Sequence, residues 1–416
     1  MTDAVRIIDT CRLCGAHDLQ LQIDFGQVPL GNNLQHTAEE ARRAESYPLA
    51  LNRCLKCWHF QLCHAVAPEL LYATDYTYLS GIGASFVKHF GAYAEWVTAQ
   101  CGLRERAVVV DVGSNDGTCL AAFRARGHIV CGVDPASLAA GIANDNGIET
   151  INAFFDAEAV REIVRRHGQA DFVTSHNVLA HVDDLAAVFR HIHALLRDGG
   201  HFAFEIGYFR DVLRTGCFDT IYHEHLDYHH AAPLARHLTD LGFDLVHIGV
   251  NNVQGGSLRL LLRKTGGGAI SADAEAFLAE ERASVVHDEA FLRDWRRSIE
   301  VRMSSFNALM RARVGAGARI VGYGAPTKAT LLMKMAGLGA DEVASVVEDN
   351  SHKTGRFLPG SGIPIRPTAE LESIRPEVIV IFAWNFADDI IAKLRGRFAS
   401  PVEVVTPLPE LRTAAL

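Results

Sequence analysis

The run "YHEHLDYHH" at residues 222–230 packs four histidines, two tyrosines and two acids into nine positions. It reads as a metal site, an acid/base centre or a solvated polar loop. The zinc signature HExxH fails here. Counted from His223 and Glu224, the second histidine should stand at position 227, where the chain has Asp227; counted from His225, the glutamate is missing. Acid/base chemistry fits better, because imidazole exchanges protons near neutral pH. Tyr222 is suited to donate to a developing oxyanion, and Glu224 to orient a neighbouring imidazole. The run follows an apolar strand by a short loop, on the carboxyl side of a sheet, where open α/β sites form.

Two glycine turns carry the next chemistry. "DVGSNDGT" at residues 111–118 follows a buried strand and opens a helix, and the next strand ends about twenty residues on, at Asp134. An acid there holds ribose hydroxyls of a dinucleotide or of S-adenosylmethionine (SAM). Asn115 stands where GxGxxG would need its second glycine. A methyl donor carries no pyrophosphate and needs no phosphate cradle, so SAM is favoured. The turn resembles the first motif of class I SAM-dependent methyltransferases, which implies donor contacts from Asp111, Gly113, Asn115, Asp116 and Asp134. "SHNVLAHVDD" at 175–184 resembles the post-strand motif of that fold and puts Asn177 near the donor. The second turn, "GYGAPTKA" at 322–329, is a weak signal alone. With Tyr323, Lys328 at a helix start, His352, Lys353 and Arg356, it suggests a diphosphate-binding mouth. Its rival is a degenerate nucleotide-binding unit with an ordinary helix cap.

Cys11 and Cys14, then Cys54 and Cys57, form two CxxC knuckles. In a reducing compartment such pairs read as a structural zinc site, with four thiolates closing the tetrahedral shell and no open position for catalysis. The long gap between them requires an excursion that loops out. The other five of the nine cysteines lack partner spacing and read as small buried hydrophobes.

These residues need a scaffold, and the chain supplies the pattern of one. Apolar runs at 107–113, 129–135, 170–182 and 199–207 alternate with helical stretches, as in a doubly wound parallel sheet. A charged helical stretch follows, then a second strand–turn–helix series. The expected organisation is α/β with three domains. A zinc-binding module (1–69) precedes a Rossmann-like class I methyltransferase domain (70–270). A helical connector (271–313) then leads to a second Rossmann-like α/β domain (314–416). The length of 416 residues suits several domains. The net charge of −9 argues against a nucleic-acid partner. No apolar run reaches the roughly 20 residues that span a membrane. No basic start with an apolar stretch opens the chain, so the cytoplasm is expected.

The ordered set of knuckles with "FGQVPLGN", "DVGSNDGT", "YHEHLDYH" and "GYGAPTKA…EDNSHKTGRFLPGSGIPI" resembles the sugar C-methyltransferases of antibiotic deoxysugar pathways. That resemblance covers nearly the full length. It implies a monomer that methylates C-3 of a TDP-linked 3-amino-4-keto-2,3,6-trideoxyhexose through an enolate. It further implies His225 as base, Tyr222 and Glu224 beside it, and His181 as assistant or alternative base. Tyr76 would be a lid residue over the sugar, and TDP would bind through Tyr323, Lys328, His352 and Lys353. One departure is the strand end Glu348-Asp349-Asn350 with His352 before Lys353, which leaves the phosphate contacts open. Rival functions are an O- or N-methyltransferase on the same fold, a dinucleotide-dependent sugar oxidoreductase using the second turn, and a non-catalytic zinc scaffold.

Overall fold

A computed structural model describes residues 4–72, 79–82, 84–251, 253 and 256–416. The expected lid residue Tyr76 lies outside the described residues. The N-terminal module is built on a four-stranded antiparallel sheet in the order Asp227–Tyr228, Phe60–Leu62, Ser46–Cys54, Leu19–Pro29. Its first strand belongs to the histidine run, two hundred positions away in sequence: Asp227 pairs Gln61 and Tyr228 pairs Phe60. The histidine run is therefore neither a helix nor a solvated loop, but a turn stitched into the zinc module. Leu62 N–H extends the seam by donating to the Leu226 carbonyl at 2.9 Å.

The knuckles meet as their spacing requires. The Sγ atoms of Cys11 and Cys57 are 3.6 Å apart, as are those of Cys14 and Cys54. All four lie within 4.8 Å of one another. Four sulfurs at these separations suit one tetrahedral zinc ion. Among the other cysteines, Cys119, Cys131 and Cys217 are buried as expected, whereas Cys63 and Cys101 are half-buried.

The central sheet has seven strands, ordered Phe243–Asn251, Ser257–Lys264, Leu196–Gly207, Ala170–His176, Val108–Val112, Ile129–Val133, Thr150–Ile151. The last five in this order run parallel; Ser257–Lys264 runs antiparallel to them, and the edge strand Phe243–Asn251 pairs antiparallel with Ser257–Lys264. All five residues of Val108–Val112 are buried, because helices cover both faces. The third apolar run, taken over 170–182, is strand only as far as His176; a turn begins at Asn177, whose φ is +57°.

Glu289–Gly315 is the long helix of the connector. Asp288 caps it by accepting from the Ala290 and Phe291 N–H groups. Leu292, Trp295, Ile299, Met303, Phe306 and Met310 recur every three or four residues and are all buried. They fuse with Phe25 and Leu49 of the zinc module, Phe218 and Ile221 ahead of the histidine run, and Ile320 and Val378 of the last domain in one hydrophobic cluster. The connector is thus a shared spine rather than a tether. The C-terminal sheet is ordered Ile365–Pro367, Ser345–Glu348, Ile320–Tyr323, Val378–Ile381, Glu403–Thr406, Arg412–Ala415, parallel except for its last strand.

One buried ionic cluster locks the zinc module to the histidine run. Asp227, fully buried, accepts from Arg12 Nε at 3.1 Å and from His59 Nε2 at 2.8 Å. Arg12 follows ligand Cys11, and His59 lies two residues beyond ligand Cys57. Removing one partner of a buried pair strands the other, so Asp227→Ala should lower the urea-measured unfolding free energy by about 3–5 kcal/mol. Zinc should be present at about one equivalent per chain by atomic emission. Its chelation should raise amide hydrogen exchange across 222–230 as well as at the knuckles. Exchange confined to the knuckles would show that the run stands without the metal.

Candidate active site

The site is assembled from backbone carbonyls and imidazoles. His225 Nδ1 lies 3.2 Å from the Thr220 carbonyl, and His181 Nδ1 lies 2.7 Å from the Glu224 carbonyl. A carbonyl only accepts, so both rings carry the proton on Nδ1 and present Nε2 as a lone pair. Tyr222 O–H donates to His225 Nε2 at 2.7 Å. The two imidazoles meet edge to face with centroids 4.8 Å apart. Burial, with His181 close by, pushes His225 well below the usual imidazole range; burial alone lowers His181 to about 4. Both rings are therefore neutral at pH 7.

The structure brings His181, Tyr222, Glu224 and His225 together, but corrects the role expected of Glu224. Its carboxylate orients no imidazole among the described residues. Oε1 accepts from Asn32 Nδ2 at 3.1 Å, and Oε2 is buried without a hydrogen-bond partner. Burial raises this carboxyl to about 7. Among the described residues, carbonyls rather than carboxylates orient the two histidines, and burial sets their protonation.

The donor end lies at the carboxyl edge of the central sheet. Asp111 is buried at the end of its strand, with Oδ1 unpartnered and its carboxyl raised by burial and by Asp134. Gly113 has φ +73°, and a Cβ there would strike the Val178 side chain. Asn115 sits at φ +51°. Asp134 accepts from the N–H groups of Asn115 and Ala136, both at 2.8 Å, which braces the turn. Asp116 takes the Gly81 N–H at 2.7 Å and Asn115 Oδ1 takes the Ser80 N–H at 2.9 Å, so the segment before the helix Ala84–Cys101 is tied to the turn. Asn177 N–H donates to the Glu205 carbonyl at 2.8 Å. An acid with an unsatisfied buried oxygen beside a glycine turn without a phosphate cradle fits SAM; Asp111, Asp134 and Asn177 are the residues here that could hold it.

The C-terminal turn departs from the expected diphosphate mouth. Lys353 Nζ donates inward to the Ala325 carbonyl at 3.0 Å, while Glu348 accepts from the Ala325 N–H at 2.7 Å. Both side chains brace the turn. Tyr323 O–H donates to Asp349 at 3.3 Å, and His352 is exposed beyond the strand end. Lys328 alone of the four reaches toward the histidine run: its Nζ lies 3.6 Å over the Trp384 ring and 3.1 Å from Asn385. Trp384 Nε1 in turn donates to buried Asp219 at 2.6 Å, one residue before Thr220.

Sequence reasoning missed several supporting residues. Glu205, held near 2, accepts from His89 at 2.6 Å, from Asn251 at 2.9 Å and from Arg259. An acid in the apolar run at 199–207 was the legible signal. Asp219, Trp384 and Asn32 left none beyond their motifs, because their partners lie in other domains.

Three family models match in succession: a zinc binding domain over residues 11–72, a methyltransferase domain over 86–248 and a C-methyltransferase C-terminal domain over 252–409. C-methyltransferase NovU of Streptomyces niveus is 34% identical over 413 residues, 99% of this chain and 98% of that protein. The ubiquinone biosynthesis O-methyltransferase of Bordetella avium (strain 197N) is 33% identical over 108 residues, 26% of this chain and 45% of its own length. Magnesium protoporphyrin IX methyltransferase (ChlM) from Synechocystis PCC 6803, solved with bound SAM, is 17% identical with a TM-score of 0.33, covering 43% of this chain and 79% of its own. Similarity to NovU across almost the whole length, with the three models in order, shows that the chain belongs to the SAM-dependent C-methyltransferase family and carries its N-terminal zinc-binding domain.

Proposed function

We propose that the protein methylates C-3 of a TDP-linked 3-amino-4-keto-2,3,6-trideoxyhexose through an enolate. The observation that carries this reading is the tyrosine–histidine pair: His225 tied by Nδ1 to Thr220, with Tyr222 O–H on Nε2 at 2.7 Å. A ketone acidifies the neighbouring C–H because the carbanion is stored on oxygen. His225 Nε2 takes the C-3 proton, and Tyr222 turns its O–H from the imidazole to the C-4 oxygen as charge develops there. Oxyanion donors of this kind supply about 3 kcal/mol each. SAM, when bound, supplies an electrophilic methyl group. His181 Nε2 is the second imidazole lone pair and the alternative base. Glu224 Oε2 accepts an N–H or O–H of the sugar.

His225 is a weak base in the resting site, but burial keeps it fully in the base form, and a forming enolate raises its basicity by charge attraction. Lys328 is the cation for the diphosphate. Through Trp384 and Asp219 it adjoins the loop that holds His225. Methylation of a hydroxyl oxygen instead would need a base but no carbon deprotonation, so exchange at carbon separates the two.

Incubated in D2O with the TDP-4-keto sugar and no SAM, wild type should wash out the C-3 proton by NMR. His225→Ala should not, and should methylate about 10²–10⁴-fold more slowly. S-adenosylhomocysteine should be added if the unliganded enzyme is silent; silence then as well would exclude the enolate and leave the hydroxyl reaction.

The same burial sets an acid limit on stability. His176, His181, His223 and His229 are each lowered to about 4 from 6.5, so the unfolded chain binds protons more readily between those values. Their stabilising contribution is complete above pH 6.5 and is lost as pH falls toward 4. Glu224, raised to about 7, opposes this by favouring the folded state at lower pH. Buried Asp111, Asp134, Asp219 and Glu281 are raised by burial and oppose it too, while His201, His225 and His230 are lowered by burial and add to the loss. With the lowered histidines in the majority, the urea midpoint should fall from pH 6.5 downward, and a flat midpoint from 6.5 to 4.5 would contradict it.

A further inference from the structure

The excursion between the zinc knuckles does more than close a loop. Residues 25–41 run along the C-terminal domain with paired main-chain contacts. Gln35 and Phe357 exchange two N–H···O bonds at 3.0 and 2.9 Å, Gly360 N–H donates to the Ala41 carbonyl at 2.7 Å, and Lys334 Nζ donates to the Phe25 carbonyl at 2.7 Å. Gly31 is buried against Thr327, where any Cβ would collide with the Thr327 carbonyl oxygen. The next residue, Asn32, uses both ends of its amide. Nδ2 donates to Glu224 Oε1 at 3.1 Å, and Oδ1 accepts from Thr327 Oγ1 at 2.6 Å. One side chain therefore joins the zinc module, the catalytic run and the glycine turn of the C-terminal domain.

We propose that Asn32 is a positioning residue of the active site, which fixes the carboxyl of Glu224 and couples it through Thr327 to the domain that receives the nucleotide. This rests on reading the site as a ketosugar C-methylation centre. Three observations carry it. Glu224 is 2% exposed, and its Oε2 has no partner, so Asn32 is the one side-chain hydrogen bond recorded for that carboxyl among the described residues. The Asn32 amide is oriented by Glu224: flipped, its oxygen would face the carboxylate Oε1, whereas the Thr327 hydroxyl can donate or accept and fits either way. Asn32 itself is exposed, so its role is not core packing. Among the described residues, the titratable groups beside Glu224 are His181 on its carbonyl, His223 and His225 on the adjoining residues, and Tyr228; Asn32 and Thr327 add no charge. Against the burial that favours the neutral form, the backbone of Glu224 and then Asn32 hold the carboxyl toward its ionised form.

The test uses the full chain with zinc and five variants. The Glu224 carboxyl is followed by infrared difference titration without substrate, assigned by its loss in Glu224→Gln. In parallel, the pH profile of kcat/KM for the nucleotide ketosugar and the Kd for SAM are measured. Asn32→Ala should move the carboxyl titration and the acid limb of the profile upward together by about one pH unit, lowering kcat/KM at pH 7 about tenfold. Asn32→Asp, which keeps the acceptor for Thr327 but faces Glu224 with a carboxylate, should move both further. Thr327→Val should raise KM for the nucleotide sugar, and Thr327→Ser should restore it. SAM affinity should stay within about twofold and Tm within a few degrees, as for a surface substitution. An unmoved titration in both Asn32 variants would overturn the proposal, as would losses that track SAM affinity or Tm. If wild type methylated no ketosugar, the functional reading would fail, and the infrared titration would still decide the placement of Glu224 by Asn32.

Discussion

The carboxylate of Asp227 is the constraint from which the active site is hung. It is fully buried between Arg12 and His59, and Arg12, 5% exposed, is nearly as dry. A charge taken out of water is tolerable only when paired and hydrogen-bonded, and breaking such a pair is far more costly than never having made it. The catalytic run therefore cannot leave the zinc module without exposing or stranding charge. The main chain repeats the link, since Asp227 and Tyr228 complete a sheet whose other strands come from the first sixty-two residues. The zinc shell and the catalytic turn lean on the same few residues. That is how a metal with no open coordination position can matter to chemistry it never touches.

The orientation of the imidazoles follows from what is absent around them as much as from what is present. A carboxylate on Nδ1 would raise the basicity of His225 and favour a resident charge. A carbonyl fixes the tautomer without doing so. With Thr220 and Glu224 offering carbonyls, and with burial on all sides, both rings stay neutral and show Nε2 to the site. A centre meant to receive a cationic methyl donor gains from this, because a protonated imidazole nearby would repel it. On the proposed reading, that low resting basicity would be offset when negative charge forms on the substrate.

The sequence disclosed what rests on local pattern. Buried strands of the Val108–Val112 kind, the glycine turn after them, the two CxxC knuckles and the density of residues 222–230 were all legible, because each is set by neighbours a few positions away. The failures share one cause. Glu224 was expected to orient an imidazole, but its partner Asn32 lies in another domain; no local spacing encodes a contact across 192 positions. Lys353 was expected at a phosphate, but it turns inward to Ala325. That the histidine run would add a strand to the zinc module was not legible either, because its pairing partner Phe60–Leu62 is remote. Tyr208, Glu281 and the helix Ala231–Asp240 show the same limit: Glu281 caps that helix from the connector by accepting from the Ala231 and Ala232 N–H groups.

The C-terminal domain shows how one fold element can be retained while its usual ligand chemistry is closed off. A dinucleotide needs free backbone N–H groups and a positive helix end at its glycine turn. Here the Ala325 N–H is given to Glu348, and Gly322 and Gly324 are packed against Phe382 and Ala383 rather than left open for a pyrophosphate. A carboxylate at that spot repels phosphate, which argues against the oxidoreductase reading on electrostatic grounds alone. The cation that remains at this edge, Lys328, leans toward Trp384 and Asp219, on the side shared with the catalytic turn. A phosphate drawn to it would lie at the border between domains rather than in the crevice of one.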